Sequence, residues 1–274
     1  MSFGSRARAA MAAYGPACVG IDPHSSLLAE WGLADDVEGL DRFAATCVEA
    51  FAGQVAFVKP QSAFFERFGA RGIVVLERTI QDLRHTGTLV ILDVKRGDIG
   101  STAAAYADAY LDEDAPMAAD AITVSPYLGF GSLQPFFEVA DKNDAGVFVL
   151  ALTSNKEGPE VQHARSAEDD EATVAGTILA QLATLNADRQ PMGPFGAVVG
   201  ATIGDAQEDL AINGPLLAPG LGAQGGTADD IRRLFGSVID NVIPSTSRGV
   251  LSAGPDVPAL RDSVARVNDE LVGS

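Results

Sequence analysis

Thr88-Leu89-Val90-Ile91-Leu92-Asp93-Val94-Lys95-Arg96-Gly97-Asp98 is the stretch on which the chain's organisation turns. Its first part is an unbroken apolar run rich in β-branched residues, as expected of a strand covered on both faces in a parallel sheet. The run then ends in charge. Asp93 and Lys95 are two residues apart, so an extended backbone would point both to one side. Asp98 follows Gly97, where the chain is free to turn. Desolvating such groups costs several kcal/mol each unless they are paired, so stability alone does not place them at a strand mouth. An acid–base site explains them.

The same alternation runs outward in both directions. Strands are expected at Ala17–Asp22, Val55–Lys59, Thr88–Asp93, Ala121–Ser125, Gly146–Leu152, Gly196–Ala201, Pro215–Pro219 and Asn241–Ser245. Segments of helical period lie between them: Val37–Phe51, Ile73–Arg84, Ser101–Leu111, Leu133–Asp141, Glu171–Asn186, Ala228–Phe235 and Pro258–Leu271, with a shorter link at Gly204–Ile212. Eight β/α units in about 250 residues is the count and size of a (β/α)8 TIM barrel with an eight-stranded parallel sheet. An open doubly wound sheet shows the same alternation, which does not report closure. No Pro/Ser-rich linker or composition shift divides residues 1–274, so one domain is expected. The longest irregular segment, Thr153–Asp170, reads equally as a lid or a surface insertion.

Composition narrows the function classes. The chain has 274 residues, is 47% hydrophobic and carries a net charge of −18. That charge argues against nucleic acid or an anionic membrane as partner. An anionic small substrate would need local positive charge. Lysine occurs only at Lys59, Lys95, Lys142 and Lys156, and two of these stand at strand ends. No apolar run has bilayer length, and the N-terminus lacks the apolar core of a signal peptide. Cys18 and Cys47 form neither a disulfide framework nor a zinc site. A cytoplasmic location fits.

In a barrel, chemistry sits at the C-terminal strand ends. In order, those ends carry Asp22, Lys59, Asp93 with Lys95 and Asp98, Ser125-Pro126-Tyr127, Pro219-Gly220-Leu221-Gly222-Ala223-Gln224-Gly225-Gly226, and Ser245-Thr246-Ser247-Arg248-Gly249. One such residue alone is a solvated side chain or a helix cap. Together they converge on one mouth. The last two loops suit a phosphate: glycines admit backbone N–H groups, Thr227 opens a helix, and Arg248 offers a bidentate donor. The alternative is that these glycines only serve tight turns, but phosphate is often placed there in barrels. Gly220, Gly222 and Gly225 also match dinucleotide-fold spacing, but in the seventh unit and with Asp240 misplaced for a ribose. His24, His85 and His163 lack metal-ligand spacing, and no nucleophile elbow or P-loop is present. Phe64-Phe65 and Phe136-Phe137 read as core.

Asp93-x-Lys95-x-x-Asp98, with Asp22, Lys59 and the Pro219–Gly226 loop, resembles the orotidine 5′-phosphate decarboxylase family. Lys95-Arg96-Gly97-Asp98-Ile99-Gly100-Ser101-Thr102 resembles the subfamily of mycobacteria and related bacteria (type 2). Ser125–Gly129 and Thr153-Ser154-Asn155 extend the likeness over nearly the whole chain. The resemblance implies decarboxylation of orotidine 5′-monophosphate to uridine 5′-monophosphate, with no cofactor and no metal. Related keto-gulonate phosphate decarboxylases hold magnesium with a glutamate where this chain has Lys59. It further implies Lys95 as proton donor, with Asp93, Asp98 and Lys59 completing an alternating charge array. Asp22 and Lys59 would bind ribose, Ser125 the pyrimidine, and Pro219, Gln224, Gly225 and Arg248 the phosphate end. Asp98 and Thr102 would enter the neighbouring subunit's site in a homodimer. From the residues themselves, a Schiff-base aldolase, a magnesium-dependent sugar-phosphate enzyme and a non-catalytic nucleotide-binding barrel remain competing readings.

Overall fold

The computed structural model of the chain describes residues 1–166 and 171–273. Eight parallel strands close into a barrel in sequence order: β1 Cys18–Ile21, β2 Phe57–Pro60, β3 Leu89–Arg96, β4 Ala121–Val124, β5 Gly146–Leu152, β6 Phe195–Val199, β7 Leu216–Pro219 and β8 Val242–Thr246. Closure is made by β1 pairing with β8, Cys18 opposite Ser245. The (β/α)8 expectation therefore holds, and the open doubly wound sheet is excluded.

The apolar runs are continuous because each strand is buried on both faces. Cys18, Phe57, Leu89, Ile91, Phe148, Leu217 and Ile243 share one cluster inside the barrel. Val19, Val58, Val90, Leu92, Ile122, Val149 and Leu216 face the surrounding helices in a second, larger cluster. Phe65, Phe136 and Phe137 are buried in that outer core, as expected, whereas Phe64 is only half-buried against it. None of the described helices is long and apolar enough to cross a membrane.

An N-terminal helix, Phe3–Tyr14, lies outside the expected elements. It closes the N-terminal end of the barrel: Phe3 is fully buried and meets the Phe148 ring edge-on at 5.9 Å. Gly146 leaves room for it, since a Cβ there would come within 2.4 Å of the Phe3 ring.

Helices Val37–Phe51 and Ala228–Phe235 have the expected bounds, because side chains cap them. Asp36 accepts from the Gly39 N–H at 2.8 Å, and Thr227 with Asp230 forms a reciprocal capping box. The expected helix Glu171–Asn186 begins later, at Val174, where Thr173 is the cap. Gly204–Ile212 forms no helix; positive φ at Gly204 (82°) and at Asn213 (48°) turns the chain at both ends of that link. Of the Thr153–Asp170 segment, residues 167–170 lie outside the described residues, and Pro159–Gln162 is one helical turn.

Candidate active site

β3 runs to Arg96, further than its apolar run. Leu92 pairs with Ile122 but Arg96 pairs with Val124, so β3 carries two residues more than β4 over this span. The strand bulges there, and Lys95 takes a left-handed φ of 46°. Among the described residues only Asp144 and Asn213 share that trait without being glycine, and Asn and Asp tolerate it. For lysine it costs about 1–2 kcal/mol. Asp93 and Lys95 thus meet through a bulge and not through plain strand alternation.

The result is one carboxylate with three donors. Asp93 Oδ2 accepts from Lys59 Nζ at 2.9 Å. Its Oδ1 accepts from Lys95 Nζ at 2.6 Å and from Thr123 Oγ1 at 2.8 Å. The Lys59 and Asp93 side chains are only 7% and 8% exposed, whereas Lys95 is 47% exposed at the cavity side of the pair. Burial by itself pushes the Asp93 carboxyl up, but Lys59 and Lys95 together outweigh it and hold the group well below the usual carboxylate range. Burial likewise pushes the Lys59 ammonium down, and the charges of Asp93 and Asp22 reverse this and hold it above its ordinary value. The Lys59–Asp93 pair is therefore ionic at neutral pH. Beneath it, burial raises the Cys18 thiol to about 12, so this cysteine is inert.

These groups open into a cavity of about 360 Å3 at the C-terminal end of the barrel. Its wall holds Asp22, Lys59, Asp93, Lys95, Pro219, Gln224 and Arg248 of the expected site. Asp22 Oδ1 and Ser247 Oγ are buried in that wall without a hydrogen-bond partner. Gly20 permits this approach of β1 and β8, because a Cβ there would lie 2.9 Å from Ser247 Cβ.

The glycine loop after β7 owes its shape to left-handed φ at Gly220, Gly222 and Gly225. Its own amides close it: Gly222 N–H bonds Gly226 O at 2.8 Å and Gly225 N–H bonds Gly222 O at 2.7 Å. The helix that Thr227 opens adds less positive potential than expected, because the Asp230 carboxylate already takes the Thr227 N–H at 3.0 Å. Arg248 stands in the cavity wall at this rim.

Asp98, Thr102, Ser125 and Gly225 do not line the cavity of their own chain. The Asp98 carboxylate accepts from the Ile99 N–H at 2.8 Å, and Thr102 is exposed on helix Gly100–Leu111. Sequence reasoning missed Thr123, whose signal would have been a hydroxyl on an otherwise apolar strand. It also left Thr153, Ser154 and Asn155 unassigned, although all three line the cavity. Gln162 fixes this loop by accepting from the Thr153 N–H at 2.9 Å and donating to Thr153 Oγ1 at 2.6 Å. A roomier cavity of about 680 Å3 lies at the opposite barrel end, but its Arg6 and Arg84 are occupied by Asp120, at 2.6 and 3.5 Å.

Known proteins are close to this chain in sequence and fold. The chain is 65% identical over 271 residues to a Nocardioides orotidine 5′-phosphate decarboxylase, covering 98% of both. It is 61% identical to that of Streptomyces coelicolor, over 98% of this chain and 96% of the relative. A Streptomyces avermitilis protein assigned as an orotidine 5′-phosphate decarboxylase superposes with a TM-score of 0.96 at 59% identity, over 98% of this chain and 94% of the other. The Leishmania donovani OMP decarboxylase superposes with a TM-score of 0.72 at 28% identity, over 99% of each chain. A family model matches residues 16–263, a span that takes in all eight strands and every strand end lining the cavity, and so this chain belongs to the orotidine 5′-phosphate decarboxylase / HUMPS family.

Proposed function

We propose that the chain is a carboxy-lyase that converts orotidine 5′-monophosphate to uridine 5′-monophosphate and CO2, the last step of de novo UMP synthesis, with Lys95 as proton donor. The observation that carries this reading is the buried Asp93 carboxylate, held between the Lys59 and Lys95 ammonium groups at 2.9 and 2.6 Å. When the C6–carboxylate bond breaks, the electron pair stays on C6, where no conjugated sink receives it. Fixed charge must stabilise it, and a preorganised ammonium needs no reorganisation to do so. Lys95 then transfers a proton to C6 and is reprotonated from water. Asp93 holds the ammonium in place and stands beside the departing carboxylate.

Asp22 and Lys59 bind the ribose hydroxyls, which fits the unpartnered Asp22 oxygen. Pro219, Gln224 and Arg248, which line the cavity, take the phosphate; Gly225 and Ser125, which the family likeness adds for phosphate and pyrimidine, stand outside its wall. Phosphate binding remote from the chemistry supplies energy that organises the reacting end. The second carboxylate, Asp98, and Thr102 serve the partner's site in a homodimer. Their absence from their own cavity supports this, as do the exposed Ile99, Tyr127 and Leu128 on the neighbouring β3 and β4 loops.

A magnesium mechanism is disfavoured by the donor set: β2 ends in an ammonium, and among the described residues no three His, Cys, Asp or Glu are grouped to hold a metal. Schiff-base chemistry needs a neutral amine, whereas Lys95 is bonded to a carboxylate as an ammonium. The test is the ultraviolet absorbance of orotidine 5′-monophosphate mixed with the protein. Loss of the substrate band, unchanged by EDTA, is expected. Stable absorbance, or activity that EDTA abolishes, would overturn the proposal.

A further inference from the structure

The peptide unit between Val94 and Lys95 is gripped at both ends. Its N–H, on Lys95, donates to Thr123 Oγ1 at 3.0 Å. Its carbonyl, on Val94, accepts from Arg96 Nη1 at 3.1 Å. That unit is planar, and φ of Lys95 is the rotation out of its plane. Holding the plane therefore decides where a left-handed residue sends its side chain. Lysine at a φ of 46° persists only where the surroundings over-determine it.

Arg96 is well anchored for such a task. Its Nη2 donates to Glu66 Oε1 at 2.7 Å and to Tyr110 Oη at 3.2 Å. Glu66 is in turn bonded by Ser62 Oγ at 2.6 Å. The guanidinium carbon lies 5.7 and 5.8 Å from the Tyr106 and Tyr110 ring centres. The Arg96 carbonyl accepts from the Ser125 N–H at 2.7 Å, which ties the end of the bulge to the segment after β4. Arg96 does not line the cavity, so it reaches substrate only through Lys95.

We infer that Arg96, anchored by Glu66, is a positioning residue for Lys95: it clamps the Val94 carbonyl and so holds the bulge that aims the ammonium into the cavity. A planar fork suits this, because one side chain must bond a carbonyl, a carboxylate and a phenol at once. The inference rests on Lys95 being the proton donor.

The test is steady-state kinetics with orotidine 5′-monophosphate for Arg96→Met, Arg96→Lys and Glu66→Gln, with uridine 5′-monophosphate affinity measured alongside. For Arg96→Met, kcat should fall about tenfold or more, while KM and nucleotide affinity stay within about threefold, because an ammonium displaced by an ångström fails in the reaction and not in binding. Arg96→Lys should recover only part of kcat. Glu66→Gln should lower kcat by about threefold to tenfold with the same split, and it decides the matter if Arg96→Met does not fold. Unchanged kcat in the folded variant, or kcat and affinity falling in parallel, would overturn the clamp. Lys95→Ala serves as the control. If it turns over normally, the proton-donor reading fails; if it is dead while Arg96→Met is normal, only the clamp fails.

Discussion

Asp93 is the residue on which the site's electrostatics depend, since one carboxylate answers two ammonium groups and a hydroxyl. Its pKa lies below the ordinary 3.8, and that of Lys59 above the ordinary 10.5. A depressed carboxyl contributes stability that is complete above about pH 4 and is lost as pH falls towards its folded-state value. The raised ammonium contributes stability that is complete below 10.5 and is lost as pH rises past it. Asp93→Asn leaves Lys59 buried without its partner, so it should cost about 3–5 kcal/mol in urea unfolding at pH 7. The loss of stability between pH 4 and pH 2 should also be shallower than in the parent, about as expected for one fewer depressed carboxyl. An unchanged acid slope would show that Asp93 is not held as described. Much of this residue-level picture was legible, because Asp93 and Lys95 announce themselves as charges closing an apolar run. Thr123 and Arg96 were not. Their contacts depend on a bulge and on neighbouring segments, and neither follows from spacing along one strand.

At the scale of elements, all eight strands were legible because burial on both faces leaves a continuous apolar signature. Helix ends were legible where a side chain caps them, as at Asp36 and Thr227. The helix Phe3–Tyr14 was not, since its alanines and arginines show little amphipathic contrast. Its place is set by tertiary packing: Phe3 sits under the barrel against Phe148 and Gly146, and Arg6 bonds Asp120 at 2.6 Å. Phe3→Ala should therefore destabilise the protein by about 3–5 kcal/mol, as for any large aromatic lost from a packed site. Equilibrium unfolding with urea measures this. A cost under about 1 kcal/mol would mean that the helix is an appendage and not part of the barrel's closure. The link between β6 and β7 has the converse lesson: Gly204–Ile212 forms no helix, and its ends are set by left-handed turns at Gly204 and Asn213 that no apolar period announces.

For the whole molecule, the likeness to the family proposes two site residues, Asp98 and Thr102, that geometry within one chain does not gather. Asp98 and Thr102 stand outside their own cavity beside exposed Ile99, Tyr127 and Leu128, as residues that complete a second copy would. If two copies share their sites as proposed, mixed dimers of Lys95→Ala and Asp98→Ala subunits should regain activity, because one of the two sites is then assembled from intact halves. Absence of recovery in verified mixed dimers would argue that each chain works alone. Whether Lys95 supplies the proton is decided by Lys95→Ala. Its turnover of orotidine 5′-monophosphate should disappear while uridine 5′-monophosphate still binds; turnover at the parent's rate would contradict the account.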